Sequence, residues 1–156
     1  MNIQHKLTVL RKVAERLNEA NITWAVGASL LLYFKGITDR FNDIDIMVTE
    51  EDVFRLKDIM LSVGAINPPN PNVQYKTRHF LEFVVDGVDV DVMAGFIIVD
   101  DGEEHDCSLR VDQIVEYITV DGISVPLQSV ALWRRYYSLM HRDCKVKMID
   151  EAVSKV

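Results

Sequence analysis

The sequence predicts an α/β (α+β) chain, with a mixed β-sheet flanked by helices and a helical segment at the C-terminal end. Three observations carry this. Stretches with apolar residues at three-and-four spacing alternate with apolar runs of strand length. Two Asp-Gly pairs, Asp86-Gly87 and Asp121-Gly122, each divide two apolar runs, which is the pattern of a tight hairpin. From Ser129 onward the spacing returns to that of helices. A chain of 156 residues suits one domain, with a core over about 1–127 and helices over about 128–156.

The elements follow in order. Lys6 to Ala20 places Leu7, Leu10, Val13, Ala14 and Leu17 on one helical face, and Asn21 ends that helix because Asn tolerates the left-handed conformation. Trp24-Ala25-Val26 reads as a buried strand. Gly27-Ala28-Ser29 breaks it, a short helix runs from Leu30 to Phe34, and Gly36 closes it. Ile37 to Asn42 is a polar loop, and Asp43 to Val48 is a strand. Thr49 is expected to cap the next helix, with Glu50, Glu51 and Asp52 in its first turn. Val53, Leu56, Ile59, Met60 and Val63 line that helix, and Gly64 ends it. Asn67-Pro68-Pro69-Asn70-Pro71-Asn72 has to be a loop and is expected at the rim of a cleft. Two hairpins follow, His79 to Met93 and Val115 to Leu127, then two helices broken near Arg142-Asp143.

Composition excludes several classes. No apolar run approaches the ~20 residues of a membrane span, and the N-terminus carries no signal pattern, so a cytoplasmic protein is expected. The net charge of −7, from 24 acids and 17 bases, opposes broad binding to a nucleic-acid backbone. Cys107 and Cys144 form no framework and are expected as free thiols. His5, His79, His105 and His141 lack zinc spacing.

The chemistry concentrates in two places. In Asp43-Ile44-Asp45-Ile46 the isoleucines face a core and both aspartates face the other way, about 6.6 Å apart along the strand. Like charges held that close call for a cation, and a divalent metal shared with substrate phosphates meets the need. Upstream, Gly27-Ala28-Ser29 opens a helix, where small residues and free amides admit a phosphate. Downstream, Asp89 and Asp91 share one face of another strand, and periodicity does not choose between them.

Taken together, Val26-Gly27-Ala28-Ser29, then Asp43-Ile44-Asp45-Ile46, then Asp89 or Asp91, resemble the nucleotidyltransferase superfamily typified by polymerase beta and the small antibiotic nucleotidyltransferases. The resemblance spans Trp24 to Met93. It implies the nucleotidyltransferase fold and transfer of a nucleoside monophosphate from a nucleoside triphosphate such as ATP to a hydroxyl, with release of pyrophosphate. It implies two Mg²⁺ or Mn²⁺ ions held by Asp43, Asp45 and a third acid. The family pattern favours Asp91 as that acid, with a role as general base. It also implies a nucleotide site made of Gly27, Ala28, Ser29, Arg142 and Lys145. Arg40, Arg78 and His79 are further candidates for the phosphates. Trp133, Tyr136 and Tyr137 read either as a base-stacking group or as core. The acceptor stays open: a small molecule, or a partner toxin as in antitoxin-like members. A non-catalytic nucleotide-binding module is the remaining alternative.

Overall fold

A computed structural model describes residues 2–69 and 76–154. Helix α1 (Ile3–Glu19) begins three residues earlier than periodicity predicts, because the Asn2 side chain caps it by accepting from the His5 N–H at 2.8 Å. Its buried stripe is Val9, Leu10, Val13, Ala14 and Leu17, and Asn21 takes the expected left-handed turn (φ 56°). Strand β1 (Trp24–Val26) leads into helix α2 (Ala28–Phe34), and strand β2 (Ile44–Val48) into helix α3 (Val53–Leu61).

The start of α3 differs from expectation. Thr49 opens a turn rather than the helix, and Asp52 stands at the cap without capping it. The Asp52 carboxylate instead accepts from the Thr23 N–H at 2.7 Å and ties α3 to the start of β1. Tertiary need thus outcompetes a local signal. Val53, Leu56 and Met60 face the core, whereas Ile59 and Val63 are half-buried.

A two-residue strand β3 (Ala65–Ile66), unforeseen after Gly64, pairs with β4 (His79–Val85). The β4–β5 hairpin (β5, Val88–Ala94) turns at Asp86 and Gly87, both at positive φ, as an Asp-Gly turn requires. A hairpin absent from the sequence reading follows, β6 (Ile97–Asp100) with β7 (Glu103–Asp106), turning on Asp101-Gly102. Strands β8 (Glu116–Val120) and β9 (Ile123–Leu127) form the third, turning on Asp121-Gly122. Helices α4 (Val130–Leu139), capped by Ser129, and α5 (Asp143–Ser154) close the described chain.

The main sheet has seven strands in the order β3-β4-β5-β2-β1-β9-β8 and is mixed: β2 runs parallel to β5 and β1 parallel to β9. Helix α1 packs on β9 and α3, while α2 and β6 pack on α4. Between these layers lie Trp24, Leu30, Leu31, Ile44, Ile46, Phe83, Val90 and Val92, all essentially inaccessible. Ile44, Ile46 and Val48 are buried as expected, and so is Met47 on the opposite face, because the C-terminal half of β2 is covered on both sides. Among the described residues, no helix is long and apolar enough to cross a membrane. Cys107 is buried and Cys144 exposed, and both are free thiols.

Candidate active site

The register of three adjacent strands builds the site. Asp45 on β2 stands opposite Asp91 on β5, and Asp91 opposite Glu82 on β4. Asp43 lies one residue before β2 and within electrostatic reach of Asp89. In the next row of the same face, Met47 stands opposite Met93, and Met93 opposite Phe80. The alternation of each strand therefore gathers acids on one face, with an apolar row beyond them.

Burial and mutual repulsion perturb these acids. Withdrawal from solvent, then Asp91 and Asp43, push Asp45 up to about 8, against a counteracting pull from Lys145. Burial, then Asp43, Glu82 and Asp89, push Asp91 up to about 7. Burial and then Asp89 raise Asp43, opposed by Lys6. Asp89 itself is exposed.

Across the acids lies the turn from β1 to α2. The Gly27 N–H donates to the Asp45 carbonyl at 3.1 Å, which fixes the turn beside the acids. Ala28 sits at φ 53°, an uncommon value for a residue with a Cβ, and is followed directly by helical Ser29. Successive amides in left- and then right-handed conformation form a concavity suited to an anion. Lys145 on α5 donates to the Ser29 hydroxyl at 3.2 Å. Tyr137, whose hydroxyl is pushed up to about 12 by burial and by Asp45, hydrogen-bonds with Ser29.

A cleft of about 640 Å³ is lined in part by Ala28, Ser29, Asp43, Asp45, Tyr137 and Arg142, while Asp91, Lys145 and Gly27 are not among its lining residues. Gly27 also has a packing role. A Cβ there would come within 2.5 Å of the Trp133 indole nitrogen, so its missing side chain makes room for α4. The Trp133 N–H donates to Gln128 at 2.7 Å, which holds the ring in that place.

The remaining candidates separate. Trp133, Tyr136 and Tyr137 are at most 3% exposed, the first two packing on Phe96 and Tyr137 on Trp133, so they belong to the core, although Trp133 and Tyr137 also form part of the cleft wall. Arg142 lies over the Tyr137 ring, 5.8 Å from its centre. Arg78 pairs with Glu50, His79 meets the edge of Phe54, and Arg40 is exposed beside Asp39. None of these three lines the cleft. Pro68 and Pro69 line a smaller cavity on the β4 side, while Asn70, Pro71 and Asn72 of the expected rim lie outside the described residues. The structure adds Lys76, Phe80, Met93, Ile97, Val99 and Met140 to the cleft. The alternation of β4 and β5 offered a signal for Phe80 and Met93. The others depend on pairings between distant segments.

Among the described residues, no three His, Cys, Asp or Glu side chains converge closely enough to hold an ion unaided. Hard carboxylate oxygens with space beside them still suit Mg²⁺, which keeps its waters and binds through one or two carboxylates together with substrate phosphates.

A family model of aminoglycoside-2''-adenylyltransferases matches residues 9–146. In three dimensions the chain is similar to a Thermotoga maritima protein assigned as a nucleotidyltransferase, with TM-score 0.73, 23% identity, and coverage of 100% of this chain and 97% of that one. It is also similar to ANT(2'')-Ia in complex with adenylyl-2''-tobramycin, with TM-score 0.64, 13% identity, and coverage of 96% and 90%. The solution structure of the antibiotic-resistance factor ANT(2'')-Ia gives TM-score 0.67, 12% identity, and coverage of 96% and 85%. At these identities the structural likeness establishes the fold. No curated protein matches the chain in sequence.

Proposed function

Because the chain belongs to the aminoglycoside-2''-adenylyltransferase family and is thereby a nucleotidyltransferase, we propose that it transfers a nucleoside monophosphate, AMP from ATP as the family's name suggests, to a hydroxyl of a small molecule or protein. The observation that carries this reading is the facing of Asp45 and Asp91 across parallel strands, with Asp43 beside them and the Ser29 turn next to Asp45.

The acceptor oxygen attacks the α-phosphorus, the bond from that phosphorus to the bridging oxygen of the β-phosphate breaks, and pyrophosphate leaves. Asp91 takes the hydroxyl proton. Asp91 is suited to the task by its place on β5 opposite Asp45, beside the acids that would hold the ions. Ser29, the Ala28 and Ser29 amides, Arg142 and Lys145 bind and orient the triphosphate. Asp43, Asp45 and Asp91 would hold Mg²⁺ or Mn²⁺, which supplies positive charge to the phosphate oxygens when bound. Tyr137 and Trp133 close the back of the cleft against water.

The test is incubation with ATP labelled at the α-phosphate, Mg²⁺ and cell extract. The expected result is a labelled product plus pyrophosphate, abolished by chelation and by Asp43→Asn. Undiminished transfer by Asp43→Asn would overturn the assignment.

A further inference from the structure

Three carboxylates have to meet at one place, and strand pairing holds only two of them. Asp45 and Asp91 face each other inside the β2–β5 ladder, and Asp91 is paired again with Glu82 on β4. Asp43 stands outside that ladder, which begins at Ile44 opposite Val90, while the pairing of β2 with β1 reaches only to Ile46. Asp43 is delivered by the loop that follows α2, and a loop position is held less firmly than a ladder position.

What anchors this loop comes from α1. The Lys6 ammonium donates to the Phe41 carbonyl at 2.8 Å, two residues before Asp43, and lies 5.5 Å from the centre of the Phe41 ring. That ring is itself buried against Tyr33 on α2, with centroids 5.1 Å apart. Among the charges acting on Asp43, Lys6 is the cation and Asp89 the acid. Lys6 is half-buried and does not line the cleft, so its part is indirect.

The residue before it grips the other acid strand. The His5 ring hydrogen-bonds with the Asp86 carbonyl at 2.8 Å, in the turn that opens β5, and Lys12 pairs with the Asp86 carboxylate at 3.2 Å. Because β2 and β5 are parallel, both start at the same edge of the sheet, and the N-terminal part of α1 ties the two starts together. Helix α1 thus sets the loop that carries Asp43 against the hairpin end that carries Asp89 and Asp91.

Resting on the nucleotidyl-transfer reading, we propose that Lys6 is a positioning residue of the reaction: through Phe41 it holds Asp43 where its carboxylate joins Asp45 and Asp91 around the divalent ion. Groups that support a metal-binding side chain from behind are typically worth about 10- to 100-fold in metal affinity or activity. The sign of the effect separates holding from charge. A cation near a metal site repels the metal. If Lys6 acted by charge alone, its removal would tighten the ion; if it holds Asp43, its removal loosens the ion.

The experiment uses the full chain. Lys6→Met keeps the stem over Phe41 and loses the donor, and Lys6→Arg keeps a cationic donor. Arg11→Met, which removes a tie from α1 to the Asp121 carbonyl in the distant β8–β9 turn, is the control for a loosened helix. Mn²⁺ is titrated in the presence of a non-hydrolysable ATP analogue, and the free ion is followed by electron paramagnetic resonance. Lys6→Met should weaken Mn²⁺ at least about tenfold and lower kcat for label transfer about 10- to 100-fold, with KM for ATP at saturating metal changed less than about threefold. Lys6→Arg should recover most of the loss, and Arg11→Met should leave both readings within about twofold of the parent. Lys6→Gln gives the same comparison should Lys6→Met fold poorly by circular dichroism. Unchanged or tighter Mn²⁺ binding without the Lys6 cation would overturn the proposal, as would a loss that Lys6→Arg does not recover or that Arg11→Met equals. If the wild-type chain itself binds no Mn²⁺ beside the analogue, the underlying reading falls, and the proposal with it.

Discussion

Strands β2 and β5 carry nearly the same pattern, Asp43-Ile44-Asp45 and Asp89-Val90-Asp91, and lie parallel and in register, yet their acids live in different surroundings. On the β2 side, α4 and α5 bring Tyr137 and Lys145 over Asp45, so its carboxylate is withdrawn from water but faced by a cation. On the β5 side, the charged groups acting on Asp91 are all acids, and Asp89 opens to solvent near the hairpin turn. A nearly identical pattern therefore yields two acids with a base in reach, Asp43 and Asp45, one without, Asp91, and one that is solvated, Asp89. Covering elements decide the role of each carboxylate, and the pattern alone does not.

The comparison breaks most sharply on Asp45. Asp45→Asn should lower nucleotidyl transfer by at least about 10³-fold, because it removes a carboxylate that would hold the divalent ion; retained turnover in a single-turnover assay would remove Asp45 from the mechanism. Next comes the contrast within β5. Asp91→Asn should cost about 10²–10⁴-fold in kcat, the usual worth of a general base, whereas Asp89→Asn should cost less than about fivefold. Equal losses would show that solvation does not separate the two. Third, Lys145→Ala should raise KM for the triphosphate about 10- to 100-fold, since a cation next to Ser29 is lost. Unchanged KM with reduced kcat would move Lys145 from binding to the transition state.

The smallest effect is on stability and depends on pH. A carboxyl raised from an ordinary value to about 8 keeps its proton in the folded state after the unfolded chain has lost it. Folded stability therefore falls as pH rises from about 4 to about 8, the reverse of a salt-bridged acid. Asp45→Asn should flatten this slope, so that the variant gains in stability on the parent as pH rises from about 5 to about 8. Melting curves without divalent ions check it, and an identical slope in both proteins would refute the assigned protonation.

Much of this was legible in the residues. Asp43-Ile44-Asp45 named its own strand and face, because the period of two is local. Asp86-Gly87 and Asp121-Gly122 announced their hairpins. Asp101-Gly102 is the same signal, but Glu103-Glu104-His105-Asp106 is polar throughout and hides the strand beside it. The choice of Asp91 over Asp89 could not be read from periodicity. It depends on which end of β5 is covered, and that follows from pairings between segments far apart in the chain. Thr49 misled because a cap is a local preference, and Asp52 found a better partner across the fold. Lys76 gave no signal, since its place depends on Thr77 gripping Ile97 twenty residues later.

The indole lodged against Gly27 bears on how such a fold can diversify. The tail and the turn are keyed to each other: enlarging the glycine evicts the ring, and shrinking the ring leaves a void beside the triphosphate seat. Exchanging the tail for one with a different residue at 133 would demand a matching change more than a hundred positions away.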